Sequence, residues 1–227
     1  MITKNRSYGT SILRSGWFFG IFAFGLALLV SARTAESHPH AWVDITVQVI
    51  FDPAGDVAGL REHWLLDEFY TVFALESMGA GDAGPTQAAI DDLMKNNMKS
   101  LAEYDYFTQV EQAGKPIAFG PITKMASQLK NGRLLMSFML PFKQAVNLSD
   151  GPLDYRIFDP TYYIEVLHAQ QDDAIQLQGA PVGCNHRLTA PRPSLEDIAR
   201  AARLDQTQSG GDGLGILFSE RVEVYCP

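Results

Sequence analysis

The clearest fold signal in the chain lies between residues 41 and 66, which read AWVDITVQVIF, DPAGD and VAGLREHWLL. Residues 41–51 alternate apolar and polar side chains and are rich in β-branched types, which is typical of a half-buried strand. A cluster of turn-forming residues follows at 52–56, and a second strand is predicted at 57–66. Two such strands on either side of a short turn predict a β-hairpin.

Helical spacing replaces this alternation immediately after the hairpin. Residues 67–78 (DEFYTVFALESM) predict a first helix, and a glycine-rich break follows at 79–85. Residues 86–101 predict an amphipathic helix. Its apolar face contains Ile90, Leu93, Met94 and Leu101. We interpret the methionines of this helix as residues that pack in the core.

Short strands joined by tight turns dominate the rest of the sequence. They are predicted at 106–111, 115–119, 123–129, 133–140, 153–158, 162–167 and 218–225. Asn131-Gly132 is the strongest hairpin signal among the turns, and residues 159–161 predict another turn of this kind. A third helix is predicted at 194–204, and a loop at 206–215.

These elements together predict an α+β fold that is mostly β, with antiparallel sandwich-like sheets and two or three inserted helices. Helices are expected only within 68–101 and 194–204. The pattern lacks the alternating strands and helices of a doubly wound parallel sheet, so that architecture is excluded.

The first 37 residues have the organisation of a secretory signal peptide. Basic residues precede an uninterrupted apolar run at 17–30, and small residues follow it. A helix that spans a bilayer needs roughly 20 apolar residues, so the run is short for a retained anchor, which is the alternative interpretation. Cleavage is predicted after Ala32 or after Ser37. We therefore expect a signal peptide at 1–37 and a single periplasmic domain at 38–227.

Charge and motif content exclude several functional classes. The formal net charge is −8, and basic residues are not clustered, so nucleic acid is not an expected partner. The sequence contains no GxSxG, HExxH or phosphate-binding loop, which are the common signatures of hydrolases and nucleotide-binding enzymes. We therefore expect a protein that is not an enzyme.

The two cysteines, Cys184 and Cys226, fit an exported protein. An even count in an oxidising compartment predicts one disulfide, which would tie the C-terminal tail back to the domain. A thiolate metal site is the alternative, but the two residues lack the close spacing that such sites usually show.

The strongest candidate for chemistry is the sequence His38-Pro39-His40, directly after the predicted signal. Neutral imidazoles bind zinc, nickel, cobalt and copper. If cleavage occurs after Ser37, the free α-amine and the His38 ring can chelate one metal together, and His40 can add a third nitrogen. The alternative is a pair of solvated histidines. His168 is expected at the core edge with a satisfied ring, and His186 in a loop.

Four further residues are candidate metal ligands near these histidines. Asp44 shares a strand face with His40, so it can ligate the metal or orient a ring. His63, Asp67 and Glu68 follow at the end of the second strand, which a hairpin would bring near the start of the first strand. The alternative for Asp44 is a solvated surface position. For Asp67 and Glu68 it is capping of the next helix.

The chain resembles a family of bacterial periplasmic proteins known as "ABC-type uncharacterised transport system, periplasmic component". Four segments carry the resemblance, in the expected order along the mature chain. They are HPHAWVD at 38–44, WLLDEFY at 64–70, FDPTYYI at 158–164 and FSERVEVYCP at 218–227. A mature chain of this length is short for a two-lobed solute-binding protein, so the ABC label fits the sequence poorly.

The resemblance implies a function in metal transport. Members of that family accompany NicO/RcnA-type nickel and cobalt transport proteins, and a related pair, the Zev system, is implicated in zinc uptake. We therefore expect a periplasmic accessory protein that binds zinc, nickel or cobalt and interacts with an inner-membrane permease. Two alternatives are an adaptor that docks on the permease without binding metal specifically, and a secreted enzyme.

Overall fold

The computed structural model describes residues 39–77, 84–204, 208, 210–211 and 213–227. The predicted signal peptide, with its apolar run, therefore lies outside the described residues, and so does His38. In the described part of the chain, no helix is long and apolar enough to cross a membrane.

The first hairpin is confirmed. Strand β1 spans Ala41–Phe51 and strand β2 spans Val57–Leu66, and the two pair antiparallel. The alternation of the sequence becomes an alternation of burial, because Val43, Ile45 and Val47 point into the core while the residues between them lie on the outer face.

The remaining elements follow in chain order. The other strands are β3 (Thr108–Gln112), β4 (Lys115–Pro116), β5 (Thr123–Lys130), β6 (Arg133–Val146), β7 (Leu153–Ile157), β8 (Ile164–His168), β9 (Ile175–Gln178), β10 (Asn185–Thr189) and β11 (Arg221–Tyr225). The α-helices are α1 (Glu68–Ser77), α2 (Gln87–Leu101), α3 (Leu195–Ala201) and α4 (Gly215–Phe218). Short 3₁₀ helices occupy Ala102–Phe107 and Leu148–Asp150.

The strands form two sheets that share one hydrophobic core. The first sheet has the order β5-β6-β2-β1-β8, with β9 also paired to β1. The second has the order β10-β11-β7-β3-β4. Ile45 of the first sheet and Leu153 and Val222 of the second all belong to this core, which the Ile90, Met94 and Met98 face of α2 joins. The predicted α+β class, mostly β, is confirmed.

The predicted hairpin at 159–161 is wrong. Strand β7 lies in the second sheet, whereas β8 crosses to the first and pairs parallel with β1. Residues 159–161 instead form the connection that carries the chain from the second sheet to the first. The carboxylate of Asp159 accepts hydrogen bonds from the backbone of Thr161 and Ile164 and from the Thr161 hydroxyl.

Several other boundaries differ from the sequence predictions. Strands β9 and β10 were not predicted, and β10 places His186 on a strand rather than in a loop. Residues 102–107 form two short 3₁₀ turns joined by a kink before β3. Helix α4 lies outside both predicted helical regions and takes the place of the first residue of the strand predicted at 218–225, so β11 begins only at Arg221.

The predicted disulfide between Cys184 and Cys226 is present. Cys184 lies just before β10, and Cys226 follows β11, which is the neighbouring strand of the second sheet. The bond closes a sequence separation of 42 residues. It therefore fixes the last residues of the chain to the sheet edge.

Candidate functional site

The start of β1 is the part of the described chain that carries the histidine motif. The backbone N–H of His40 donates to the carbonyl oxygen of Tyr163 at 2.9 Å. The His40 ring lies against the ring of Tyr163, with centroids 4.9 Å apart. His40 is therefore held in place by the residue that precedes β8, at the point where the described chain begins.

Asp67 joins this end of β1 to the following helix. Its Oδ2 accepts a hydrogen bond from the backbone N–H of Trp42 at 2.8 Å, and its Oδ1 accepts one from the N–H of Tyr70 at 2.9 Å. The second of these bonds caps α1, so the capping interpretation of Asp67 is confirmed. Glu68 is exposed in the first turn of the same helix, where a carboxylate complements the helix dipole.

Asp44 and His63 lie together on the outer face of the first sheet. In the register of the β1–β2 pair, Asp44 lies opposite Leu65 and His63 opposite Thr46, and both side chains line a depression of about 250 Å³. Asp44 is already engaged, because its Oδ2 lies 2.8 Å from Nη2 of Arg133. The same guanidinium donates to the carbonyl oxygens of Leu65 and Leu66, which fixes its position.

The environment of His63 keeps its ring neutral. Burial lowers the pKa of His63 below its ordinary value, and the nearby charges of Arg61 and Lys130 lower it further. A neutral imidazole is the form that binds metal. The nearby positive charges of Arg61 and Lys130 oppose the approach of a cation, whereas the carboxylates of Asp44 and Asp173 in the same depression favour it.

The predicted ligands therefore form two groups. Asp67 is bonded to Trp42, whereas His63 lies opposite Thr46, four residues further along β1, which is about 14 Å in a strand. Within the residues that the structure describes, no three His, Cys, Asp or Glu side chains are grouped closely enough to hold a metal ion. His38 belongs to neither group, because it lies outside the described residues.

A buried carboxylate lies between the two sheets, and the sequence analysis missed it. Glu62 on β2 is fully buried. Nε1 of Trp64 donates to its Oε2 at 2.9 Å, and Oγ1 of Thr108 on β3 lies 3.0 Å from its Oε1. Burial raises the pKa of Glu62 to about 7, although both hydrogen bonds act to lower it. The carboxyl group is thus close to half protonated near neutral pH.

A second buried polar chain lies beside Glu62. The hydroxyl of Tyr155 is 3.0 Å from Nε2 of His168, and Nδ1 of His168 is 2.8 Å from Oε2 of Glu220. A carboxylate accepts hydrogen bonds, so Nδ1 of His168 donates to Glu220. Burial raises the pKa of Tyr155 well above its ordinary value, and the charges of Glu62 and Glu220 raise it further. The predicted satisfied ring of His168 is confirmed.

Trp64 connects the buried carboxylate to a small apolar cavity. The cavity has a volume of about 170 Å³ and lies beneath α1 and α2. Its lining includes the aromatic side chains of Trp64, Tyr70 and Phe107. The hydrogen bond to Glu62 satisfies the polar edge of the Trp64 indole, so the ring contributes an apolar surface.

The alternation of inward and outward side chains along β2 could have predicted that Glu62 is buried. Leu60, Trp64 and Leu66 point inward, and Glu62 lies at the same alternate positions of the strand. The pattern therefore predicts a carboxylate that faces the core. A carboxylate on an apolar face must be protonated, paired or hydrogen-bonded.

Comparison with known proteins identifies the family. The sequence profile of the family described as "protein of unknown function (DUF1007)" matches residues 23–226, which is most of the chain. The protein therefore belongs to this family. No curated protein and no solved structure is similar enough to match. The description of the family includes no activity, ligand or partner.

Proposed function

We propose that the protein is a periplasmic metal-binding accessory protein of an inner-membrane transport system for zinc, nickel or cobalt, and that it is not an enzyme. Export is supported by the signal-like sequence of the first 37 residues and by the disulfide, which is typical of oxidising compartments. The resemblance in four segments along the chain supports the transport role.

The observation that carries the metal-binding proposal is the position of His40. It lies at the first described turn of the chain, only two residues after His38, and its ring is held against Tyr163. Fixing one imidazole lowers the entropic cost of binding a metal there. His38, with the α-amine if cleavage occurs after Ser37, supplies the remaining nitrogen ligands.

The carboxylates have unequal roles in this proposal. Asp67 and Asp44 are occupied by hydrogen bonds and an ion pair, so ligating a metal would require them to release or share these partners. Glu68 follows Asp67 and is exposed, so we assign it as the carboxylate of this site. His63 lies with Asp44 in the separate depression, where it would form a weaker second site.

Calorimetric titration of the mature chain, residues 38–227, with zinc, nickel and cobalt tests the proposal. Replacing His38 and His40 with alanine removes direct metal bonds, so we expect binding at least about tenfold weaker, which corresponds to roughly 1.4 kcal/mol. Binding should also fail as the pH falls through roughly 6, where protons compete for imidazole.

Two single variants serve as controls for the double variant. His186→Ala removes a partly exposed histidine of β10, and it should leave affinity unchanged. His63→Ala reports on the outer depression. If the His38/His40 double variant binds all three metals as tightly as the parent does, the N-terminal site is wrong. If His63→Ala alone abolishes binding, the depression is the site instead.

A second candidate function is an adaptor that docks on the permease without binding metal specifically. Trp42 and Tyr163 near the start of β1 favour this function, because exposed aromatic side chains are common at protein interfaces. Metal titration separates the two candidates, since an adaptor requires no metal affinity.

A further inference from the structure

Helix α1 presents an apolar stripe to solvent. Phe69 and Phe73 are 86% and 67% exposed, and Val72 between them is also exposed. The three residues have the i, i+3, i+4 spacing that places side chains on one helix face. The opposite face is the one that packs on the domain, through Thr71 and Ala74. Large apolar side chains that are exposed together on one helix face commonly mark an interaction surface.

Two further exposed aromatic residues, one in strand β1 and one directly before β8, lie close to the start of α1. Trp42 and Tyr163 are each more than one third exposed. The backbone of Trp42 is bonded to the residue that caps α1, and Tyr163 holds the backbone of His40. The starts of β1, β8 and α1 therefore meet at this end. We define the aromatic end surface as Trp42, Phe69, Val72, Phe73 and Tyr163.

The negative charge of α1 indicates which kind of partner can bind this surface. The sequence of α1 contains Glu68 and Glu76 and neither lysine nor arginine. A second copy of the chain would bring the same acidic residues together in a two-fold contact, which is unfavourable. A bilayer rich in anionic lipids would repel them as well. A surface with apolar pockets and basic side chains complements both the aromatic residues and the carboxylates.

We propose that the aromatic end surface is the docking surface for a partner protein that offers an apolar patch flanked by basic residues. The identity of this partner rests on the proposed function: it is the periplasmic side of the inner-membrane transport protein. His40 lies at the margin of this surface, because its backbone and its ring both contact Tyr163. Docking would therefore bring the metal ligands to the partner.

The test uses the mature chain and the transport protein of the proposed function, a NicO/RcnA-type permease reconstituted in lipid nanodiscs. The Phe69→Ala/Phe73→Ala variant removes the centre of the stripe, and buried aromatic anchors commonly dominate interface affinity. We expect at least tenfold weaker binding. Both side chains are exposed, so the variant should keep the parent's thermal transition.

A matched control removes apolar side chains from another exposed helix. Leu195 and Ile198 lie on α3, and Leu195 is 86% exposed, as Phe69 is. Leu195→Ala/Ile198→Ala should bind as the parent does. Glu68→Lys/Glu76→Lys tests the charge argument, and it should weaken binding most at low salt, because screening removes the repulsion at high salt.

Three outcomes would overturn the proposal. The first is permease binding that is absent, or that survives the loss of both phenylalanines. The second is equal binding to empty nanodiscs, which would make the surface a membrane contact. The third is a concentration-dependent dimer in sedimentation that the phenylalanine variant abolishes, which would make it a self-interface. Metal titration of the phenylalanine variant distinguishes these failures from failure of the metal site, because alanine at 69 and 73 leaves the proposed ligands His38, His40 and Glu68 unchanged.

Discussion

Protonation of Glu62 should control the stability of the sandwich between pH 4.5 and 7. The carboxyl group is fully buried and contacts Trp64 on its own strand and Thr108 on the opposite sheet. A protonated carboxyl can donate to Oγ1 of Thr108, because the threonine hydroxyl can itself donate to the carbonyl oxygen of Tyr106, 3.0 Å away. When Glu62 is protonated, its carboxyl group, the Trp64 indole and the Thr108 hydroxyl therefore all have hydrogen-bond partners.

The direction follows from the two pKa values. The pKa of Glu62 is about 7 in the folded protein and has its ordinary value of 4.5 when the chain unfolds. Between these values the folded state holds more protons than the unfolded state, so stability falls as pH rises. The full contribution is present below pH 4.5 and is lost above about 7. The difference corresponds to roughly 3 kcal/mol, at about 1.4 kcal/mol for each pKa unit.

Glu62→Gln isolates this contribution. The amide is neutral at every pH, and it can accept from Trp64 and donate to Thr108 as the protonated acid does. Urea unfolding with the disulfide intact, followed by circular dichroism at several pH values from 4 to 9, gives the free energy of unfolding of both proteins. We expect nearly equal stabilities at acid pH and a variant more stable by about 3 kcal/mol above pH 8.

The other titrating groups contribute equally to the unfolding free energies of the parent and of Glu62→Gln, so they cancel when the two are subtracted. Tyr155 is the titratable neighbour whose charge would matter most, but its pKa is raised well above its ordinary value, so it stays neutral throughout the range. A stability difference that stays constant from pH 4 to 9 would refute the reasoning, because Glu62 would then titrate in the folded protein as it does in water.

Two further predictions concern the C-terminal half of the fold. Replacing Cys184 and Cys226 with serine should cost roughly 4 kcal/mol of unfolding free energy in the loop-entropy description, and native protein should be lighter than reduced protein by two hydrogen atoms in intact-mass analysis. Gly215→Ala should cost at least about 2 kcal/mol, because a Cβ there would clash with the backbone carbonyl oxygen of Asp159. Gly120→Ala, whose Cβ would meet its nearest neighbour at 3.4 Å, is the matched control in thermal unfolding and should change stability little.

Local sequence patterns were sufficient for the hairpins and for the two main helices. The alternation of 41–51 and the Asn131-Gly132 turn act within a few residues, and both were confirmed by the β1–β2 and β5–β6 pairs. The turn at 159–161 has the same residue types as a hairpin turn. Its crossover depends on the pairing of β8 with β1, which is distant in sequence and leaves no local signal.

The strands missed by the sequence analysis are short and, in one case, polar. β10 is an edge strand with mostly exposed residues, so it lacks the apolar alternation on which strand prediction depends. β9 has only four residues. The ion pair between Asp44 and Arg133 could not be predicted from local patterns either, because Arg133 lies on β6 and reaches Asp44 across β2.

The engaged carboxylates also affect what kind of metal site the N-terminus can form. With Asp44 and Asp67 held by other groups, the proposed site would have two imidazoles and, after cleavage at Ser37, an α-amine. It would keep at least one coordination position open as long as Glu68 does not bind. A storage or structural site closes its coordination shell, whereas a site that passes metal to a partner needs a position where an incoming ligand can bind. The aromatic end surface beside His40 would place that partner near the open position. The metal-binding and docking proposals therefore concern the same end of the molecule, and each gives the other a reason for its location.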